Sequence, residues 1–279
     1  MSTIIVAGAT NQIGHFLLSK LPKLIAISRQ ARPNTGNITW LKIDLATGIL
    51  PIKTPSKLFY SAPLSLLPPL LARLPQITLL NQVVVFSSTS CFTKENSTDL
   101  KEQTIANQLA QAEKALIKEC QRRNITWTIL RPTLVYGCGL DKNVTFIASF
   151  IKKFGFFPIV GQGIGLRQPV HADDLATACI QAASSPKTAN KTYNLTGGQT
   201  LCYRDMVITI FKFLGKKPHI ISVPLPLFTT MLRCITWLPK YSHLSTAMVN
   251  RINQDLCFDS TAAQHDFGYQ PRKFVDLGL

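Results

Sequence analysis

Residues able to cradle a phosphate stand at the start of the chain, in the stretch Thr3 to Gly14 that reads T-I-I-V-A-G-A-T-N-Q-I-G. Ile4, Ile5 and Val6 form a β-branched run that suits a strand buried on both faces, and Gly8 follows where the chain must turn sharply. Thr10 and Asn11 lead into Ile13, Phe16, Leu17 and Leu18, which recur at helical spacing. A helix that begins behind such a turn has first amides with no internal partner. They aim their N–H groups and the positive end of the dipole at an anion. Strand, glycine turn and helix in this order read as a dinucleotide site, with Gly8 allowing the turn and Gly14 letting the helix pack close to the sheet. The middle position of the usual three-glycine pattern is Asn11, which tolerates a left-handed backbone and brings a side chain toward the phosphates.

A second strand, Leu24 to Ser28, runs into Arg29, Gln30 and Arg32 with no acid at hand. An acid there would accept bonds from a ribose 2′-hydroxyl, whereas Ser and Arg suit a 2′-phosphate, so NADP is the expected cofactor and NAD the alternative. Strands at Ile38 to Ile43 and Lys57 to Ser61 end at Asp44-Leu45 and Ser61-Ala62-Pro63, on the same sheet edge. The apolar stretch Leu64 to Leu74 is bracketed and interrupted by prolines. A fifth strand, Val83 to Phe86, ends in Ser87-Ser88-Thr89-Ser90, hydroxyls able to bond a substrate oxygen at a reacting carbon.

Positioning these groups falls to a long amphipathic helix at Leu100 to Arg123, a sixth strand at Thr126 to Leu130 and a helix at Asn143 to Lys153. A helix opens at Asp173-Asp174, where acids act as caps. Strands at Thr192 to Leu195 and Ile220 to Val223 flank a helix at Tyr203 to Leu214, and the tail from Leu227 reads as helical and irregular. Lys and Arg total 30 against 14 Asp and Glu, a net charge of +16 that favours anionic partners. The basic residues are dispersed, so nucleic acid is not an expected partner. Seven scattered cysteines without a C-x-x-C read as reduced thiols in a cytoplasmic protein, and five well-separated histidines as structural. No run reaches the roughly 20 apolar residues of a spanning helix. The nearest is Val223 to Leu238. A peripheral membrane contact stays open, because Phe146 to Ile159 mixes five phenylalanines with Lys152 and Lys153.

The chain resembles an extended or atypical short-chain dehydrogenase/reductase, of the NAD(P)-dependent epimerase/dehydratase group that includes nucleoside-diphosphate-sugar epimerases. The resemblance is carried by G-A-T-N-Q-I-G, V-F-S-S-T-S, L-R-P-T-L-V-Y-G-C-G, R-Q-P-V-H-A-D-D-L-A-T-A, Y-N-L-T-G-G and F-G-Y-Q-P-R, in that order. It implies an α/β fold: a Rossmann-like doubly wound parallel sheet over residues 1–162 that binds the cofactor, with a smaller C-terminal α/β substrate-binding part, 163–279, interleaved with it. It also implies that Gly8, Thr10, Asn11, Gln12, Ile13 and Gly14 hold the pyrophosphate, Ser28 and Arg29 the adenosine ribose or its phosphate, and Asp44 and Leu45 the adenine. Ser61, Ala62, Ser87, Pro132 and Thr133 would line the nicotinamide side, and Thr89 falls where the family has its catalytic Ser or Thr.

The long helix departs from the family pattern. A Tyr with a Lys four residues later is expected there, the Lys lowering the phenol pKa for proton exchange while hydride moves. This sequence has Ile105 and Leu109 at those positions. Tyr269 and Lys273 have the spacing, but Pro271 between them rules out a regular helix. Tyr136 and Lys142 are candidate substitutes. Three readings follow: an enzyme acting on a nucleotide-linked or lipid-linked sugar with non-standard acid/base groups, a non-catalytic NAD(P)-binding regulator, scaffold or assembly protein in which the two apolar residues seal the helix into core, and a basic membrane-binding module.

Overall fold

Side chains branched at Cβ favour extended backbone, and when both faces are apolar the strand needs cover on both sides. The computed structural model describes residues 2–75, 78–224, 226 and 251–274, and in it these runs are the middle of one sheet. The first half of the chain forms β1 (Thr3–Ala7), α1 (Gln12–Lys20), β2 (Leu24–Ser28), β3 (Ile38–Lys42), β4 (Ser56–Tyr60), α2 (Leu67–Ala72), β5 (Leu80–Phe86), the single turn α3 (Ser90–Thr93), α4 (Leu100–Arg122) and β6 (Thr126–Pro132). Then come β7 (Val135–Tyr136), α5 (Val144–Phe154), β8 (Phe157–Val160), β9 (Leu166–Arg167), β10 (Val170–His171), α6 (Ala172–Ser184), β11 (Lys191–Leu195), β12 (Leu201–Cys202), α7 (Tyr203–Phe213), β13 (Ile220–Val223) and α8 (Thr261–Phe267).

The seven-stranded sheet has the order β11-β6-β5-β4-β1-β2-β3, with every neighbouring pair parallel. This is the doubly wound α/β architecture. The winding reverses between β1 and β4, and in such sheets ligands bind outside the carboxyl ends of the strands at that switch point. Leu17 of α1, Leu175 and Cys179 of α6 and Phe267 of α8 cover one face. Leu67, Leu70 and Leu71 of α2 with Leu116 and Cys120 of α4 cover the other. A third core, centred on Ile147, Ile151, Met206, Ile210 and Phe211, holds α5 and α7 together. Residues 172–195 return from that region to the main sheet through α6 and β11.

Two local features differ from the sequence pattern for clear reasons. Pro68 and Pro69 do not interrupt the apolar stretch but stand in the first turn of α2, where a missing N–H costs nothing. His171, not an aspartate, caps α6: its Nδ1 accepts the Asp173 amide at 3.1 Å. Asp173 and Asp174 instead bind Arg272, and Asp173 also meets Lys20 at 2.8 Å. Tyr269 is buried, its hydroxyl donating to the Thr196 carbonyl at 2.6 Å. Among the described residues no helix is long and apolar enough to cross a membrane. The tail from 227 to 250, with most of the apolar stretch ending at Leu238, lies outside the described residues.

Burial alone would raise the Asp173 pKa, but the bonds from Lys20 and Arg272 outweigh it and hold the carboxyl below its ordinary value. A carboxylate depressed in the folded state stabilises above its unfolded pKa, about 3.9, and loses that contribution as pH falls through the folded value. The urea midpoint is therefore expected to be insensitive to this group from pH 7 to about pH 5 and to fall below about pH 4. In Asp173→Asn that acid-side fall should shrink, with a lower midpoint at pH 7.

Candidate functional site

Parallel strands bring their carboxyl ends to one edge, so the residues that follow them form a row. In sheet order the row reads Pro132-Thr133 after β6, Ser87 after β5, Ser61-Ala62 after β4, Gly8 after β1, Ser28-Arg29 at β2 and Asp44-Leu45 beyond β3. All the strand-end residues singled out in the sequence thus share one edge.

At the centre of the row the turn between β1 and α1 is too tight for any side chain at two positions. Gly8 has φ +85°, and a Cβ there would lie 2.6 Å from the Ala62 nitrogen. At Gly14 it would lie 2.2 Å from the Gly8 carbonyl oxygen. Asn11 departs from expectation. Its backbone is extended (φ −88°, ψ 175°), not left-handed, and its side chain turns to the neighbouring strand end instead of outward. The amide donates to the Ser61 carbonyl at 2.6 Å, and Oδ1 accepts the Gly14 N–H at 2.8 Å. Asn11 therefore caps α1 and ties β1 to β4. The Ser61 hydroxyl is drawn into the same turn, within 3.3 Å of the carbonyls of Ala7 and Gly8. The amides of Gln12 and Ile13 find no acceptor among the described residues, and no acid stands in the first turn of α1. Gln12 Oε1 and Ser87 Oγ are buried with no hydrogen-bond partner among the described residues. Free amides, a positive dipole end and unpaired polar atoms along this edge fit a dinucleotide.

Toward β3, the buried Ser28 hydroxyl accepts the Gln30 amide at 3.1 Å. Arg29 is exposed at the strand end, while Arg32 lies over Trp40 at 5.2 Å. Asp44 Oδ1 accepts the Ala46 amide at 2.9 Å, and the carbonyl of buried Leu45 accepts Arg73 at 2.7 Å. These bonds fix the turn that follows β3.

In the other direction the row opens into a cleft of about 990 Å³ between the sheet and the α5–α7 region, lined by Gln12, Thr89, Ile105 and Thr133. Thr89 is buried, and its hydroxyl donates to the Pro132 carbonyl at 3.2 Å. With that proton committed, Oγ1 is left as a hydrogen-bond acceptor at the cleft wall. Thr133 is bonded to the Gln168 carbonyl. Ile105 is 41% exposed and faces the cleft, while Leu109, one turn on, packs against the core under α4. The expectation that both residues seal the helix into core fails at Ile105. Tyr136 is fully buried between His171 and Phe274 and does not line the cleft; Lys142 does.

Residues with no sequence signal complete the wall. Glu102 pairs with Arg251, 149 positions away, and accepts the Ser97 hydroxyl at 2.7 Å. Burial pulls the Lys94 pKa below the usual lysine value, Glu102 opposing and Arg251 adding to the shift. Tyr203 lies at the far wall beside Arg167, its phenol pushed up to about 12 by burial. The cleft thus mixes cations, two or more carboxylates and aromatic faces around Thr89.

Comparison with known proteins follows the same lines. Residues 72–196 match the model of the NAD dependent epimerase/dehydratase family. An uncharacterized protein of Sinorhizobium fredii is 28% identical over 204 residues, 70% of this chain and 50% of that protein. Subunit 9 of the NADH dehydrogenase [ubiquinone] 1 alpha subcomplex, mitochondrial, from Arabidopsis thaliana is 29% identical over 105 residues, 37% of this chain and 26% of that protein. The chain thus matches half or less of the length of these relatives. UDP-glucuronic acid 4-epimerase from Bacillus cereus, solved in complex with NAD, shares the fold over 99% of this chain and 93% of its own, with a TM-score of 0.72 at 16% identity. The glycine turn lies upstream of the matched segment, on the same sheet. The fold is Rossmann-like, and within it residues 72–196 are similar to the NAD dependent epimerase/dehydratase family.

Proposed function

We propose that this protein holds a nicotinamide dinucleotide, NADP in preference to NAD, along the strand-end edge and a nucleotide-linked or lipid-linked sugar in the cleft. It is an oxidoreductase or epimerase/dehydratase whose acid/base groups are not the Tyr-Lys pair. The observation that carries this reading is the continuity of the two: Gln12 of the glycine turn and Thr133 of the edge both line the cleft that holds Thr89. In this reading Gly8 and Thr10 to Gly14 hold the pyrophosphate, Ser28 and Arg29 the 2′-phosphorylated ribose, Asp44 and Leu45 the adenine, and Ser61, Ala62, Ser87, Pro132 and Thr133 the nicotinamide side. Residues 1–162 supply most of the cofactor site and 163–279 the far wall of the cleft. The bound nicotinamide supplies a hydride donor or acceptor. Thr89 accepts the substrate hydroxyl, and Lys94 and Lys142 are the groups at hand for proton exchange. Free thiols at Cys91, Cys120 and Cys179 agree with a reducing, cytoplasmic setting.

One observation favours a second reading, a non-catalytic dinucleotide-binding subunit: an isoleucine faces the cleft where the family carries its tyrosine. A relative named as a subunit of an NADH dehydrogenase subcomplex supports it too.

Fluorescence titration with NADPH and NADH separates these readings from both being wrong. Micromolar NADPH binding is expected, weakened by about 1–3 kcal/mol in Arg29→Ala through loss of charge-assisted bonds, with NADH little changed. Turnover of a nucleotide-sugar panel, lost in Thr89→Ala, supports the enzyme; tight NADPH binding without turnover supports the subunit. Millimolar affinity for both cofactors sinks both.

A further inference from the structure

One end of the C-terminal part gathers a surface that the cleft does not use. α5 finishes in Lys152-Lys153-Phe154 and α7 in Lys212-Phe213, and β8 and β13 start side by side with Phe157 opposite Ile220. Lys216 Nζ reaches across to the carbonyls of Ile151 and Lys152 at 3.3 and 3.2 Å. The Phe156 ring lies 6.1 Å from His219. These bonds make the two helix ends one surface. On it Phe154 is 49% and Phe213 43% exposed, and Lys152, Lys153, Lys212, Lys216 and Lys217 are all exposed. No Asp or Glu occurs between Asp141 and Asp173, nor between Asp205 and Asp255.

A helix end attracts lysines by its dipole, and Lys216 is occupied in capping α5. That accounts for some of the cations. It does not account for two exposed phenyl rings beside them, nor for the lack of any acid on either segment, since solvated surfaces mix both signs. Aromatic rings set among lysines on segments without an acid match the boundary of an anionic bilayer, where rings enter the acyl edge and ammonium groups meet phosphates. A nucleic-acid duplex would use the lysines and leave the rings idle.

We infer that this end of the protein docks on an anionic phospholipid surface, with Lys152, Lys153, Lys212 and Lys217 on the headgroups and Phe154 and Phe213 in the boundary. The opposite ends of the same helices carry Phe146 and Tyr203 into the cleft. An 11-residue helix is about 16 Å long, so docking holds the cleft roughly that far above the headgroups. The docking stands whether or not the cleft takes a sugar.

The test is co-sedimentation of the full chain with vesicles of phosphatidylcholine alone or mixed with phosphatidylglycerol, at low and high salt. Binding to the mixed vesicles that weakens with salt is expected, with little on phosphatidylcholine. Phe154→Ser with Phe213→Ser should reduce it about tenfold at unchanged charge, as should Lys152→Gln with Lys153→Gln. Lys114→Gln with Lys118→Gln, on the exposed face of α4, removes the same charge and should leave binding unchanged. Equal losses in the two lysine pairs mean that bulk charge alone is at work and overturn the proposal. So does full binding by the serine variant, or capture of a DNA duplex but no vesicle. Melting curves of each variant check that the fold is intact.

Discussion

Gly14→Ala is expected to abolish NADPH binding, with at least about a hundredfold loss of affinity and a lower melting temperature. The added Cβ would sit 2.2 Å from the Gly8 carbonyl oxygen and 2.7 Å from the Ala9 backbone, so no flexible side chain can yield. α1 must move away from β1, an overpacking cost of about 1–3 kcal/mol, and its first amides leave the edge they serve. Gly36→Ala is the control: its φ of +53° also disfavours a side chain, but nothing lies within 4 Å of the new carbon. That variant should lose about 1 kcal/mol of stability and bind NADPH normally. The measurement is the same fluorescence titration beside a thermal melt. If Gly14→Ala binds like the parent protein, the turn is not where the pyrophosphate lies.

Installing the absent pair is expected to raise catalysis. Ile105 already faces the cleft, so Ile105→Tyr points a phenol at the space beside Thr89 without disturbing the core. Leu109 is one turn further along the same face, and in Leu109→Lys the long stem can cover the apolar surface that leucine covers now while the ammonium extends toward the phenol. A cation near a phenol lowers its pKa, and a positioned acid/base contributes about 10²–10⁴-fold in rate. The double variant should therefore exceed the parent protein by about that factor in NADPH-linked turnover of a nucleotide sugar. Ile105→Tyr alone should gain less, and its pH-rate profile should rise at higher pH than that of the double variant. No gain in either, with NADPH still bound, argues that the cleft serves recognition and favours the subunit reading.

Much of the site was legible in the sequence because the physics involved is short-range. A β-branched run, Gly8, and a helical repeat from Ile13 define the turn within a dozen residues, and the ends of parallel strands must share an edge once the order is doubly wound. Ser28-Arg29, Asp44, Ser61 and Ser87 follow from that rule. The role of Asn11 as a cap and strand tie is not legible locally, because it depends on Ser61, fifty positions away, which offers the carbonyl its side chain takes. The sheet, the glycine turn and the apolar residues Ile105 and Leu109 on the long helix can therefore be read from the sequence. Only the tertiary structure decided that Ile105 faces the cleft and Tyr136 does not, that Glu102 finds Arg251, and that the lysines and phenylalanines ending α5 and α7 form one surface. Periodicity tells which residues share a face of one element; what lies opposite that face depends on packing between segments far apart in the chain.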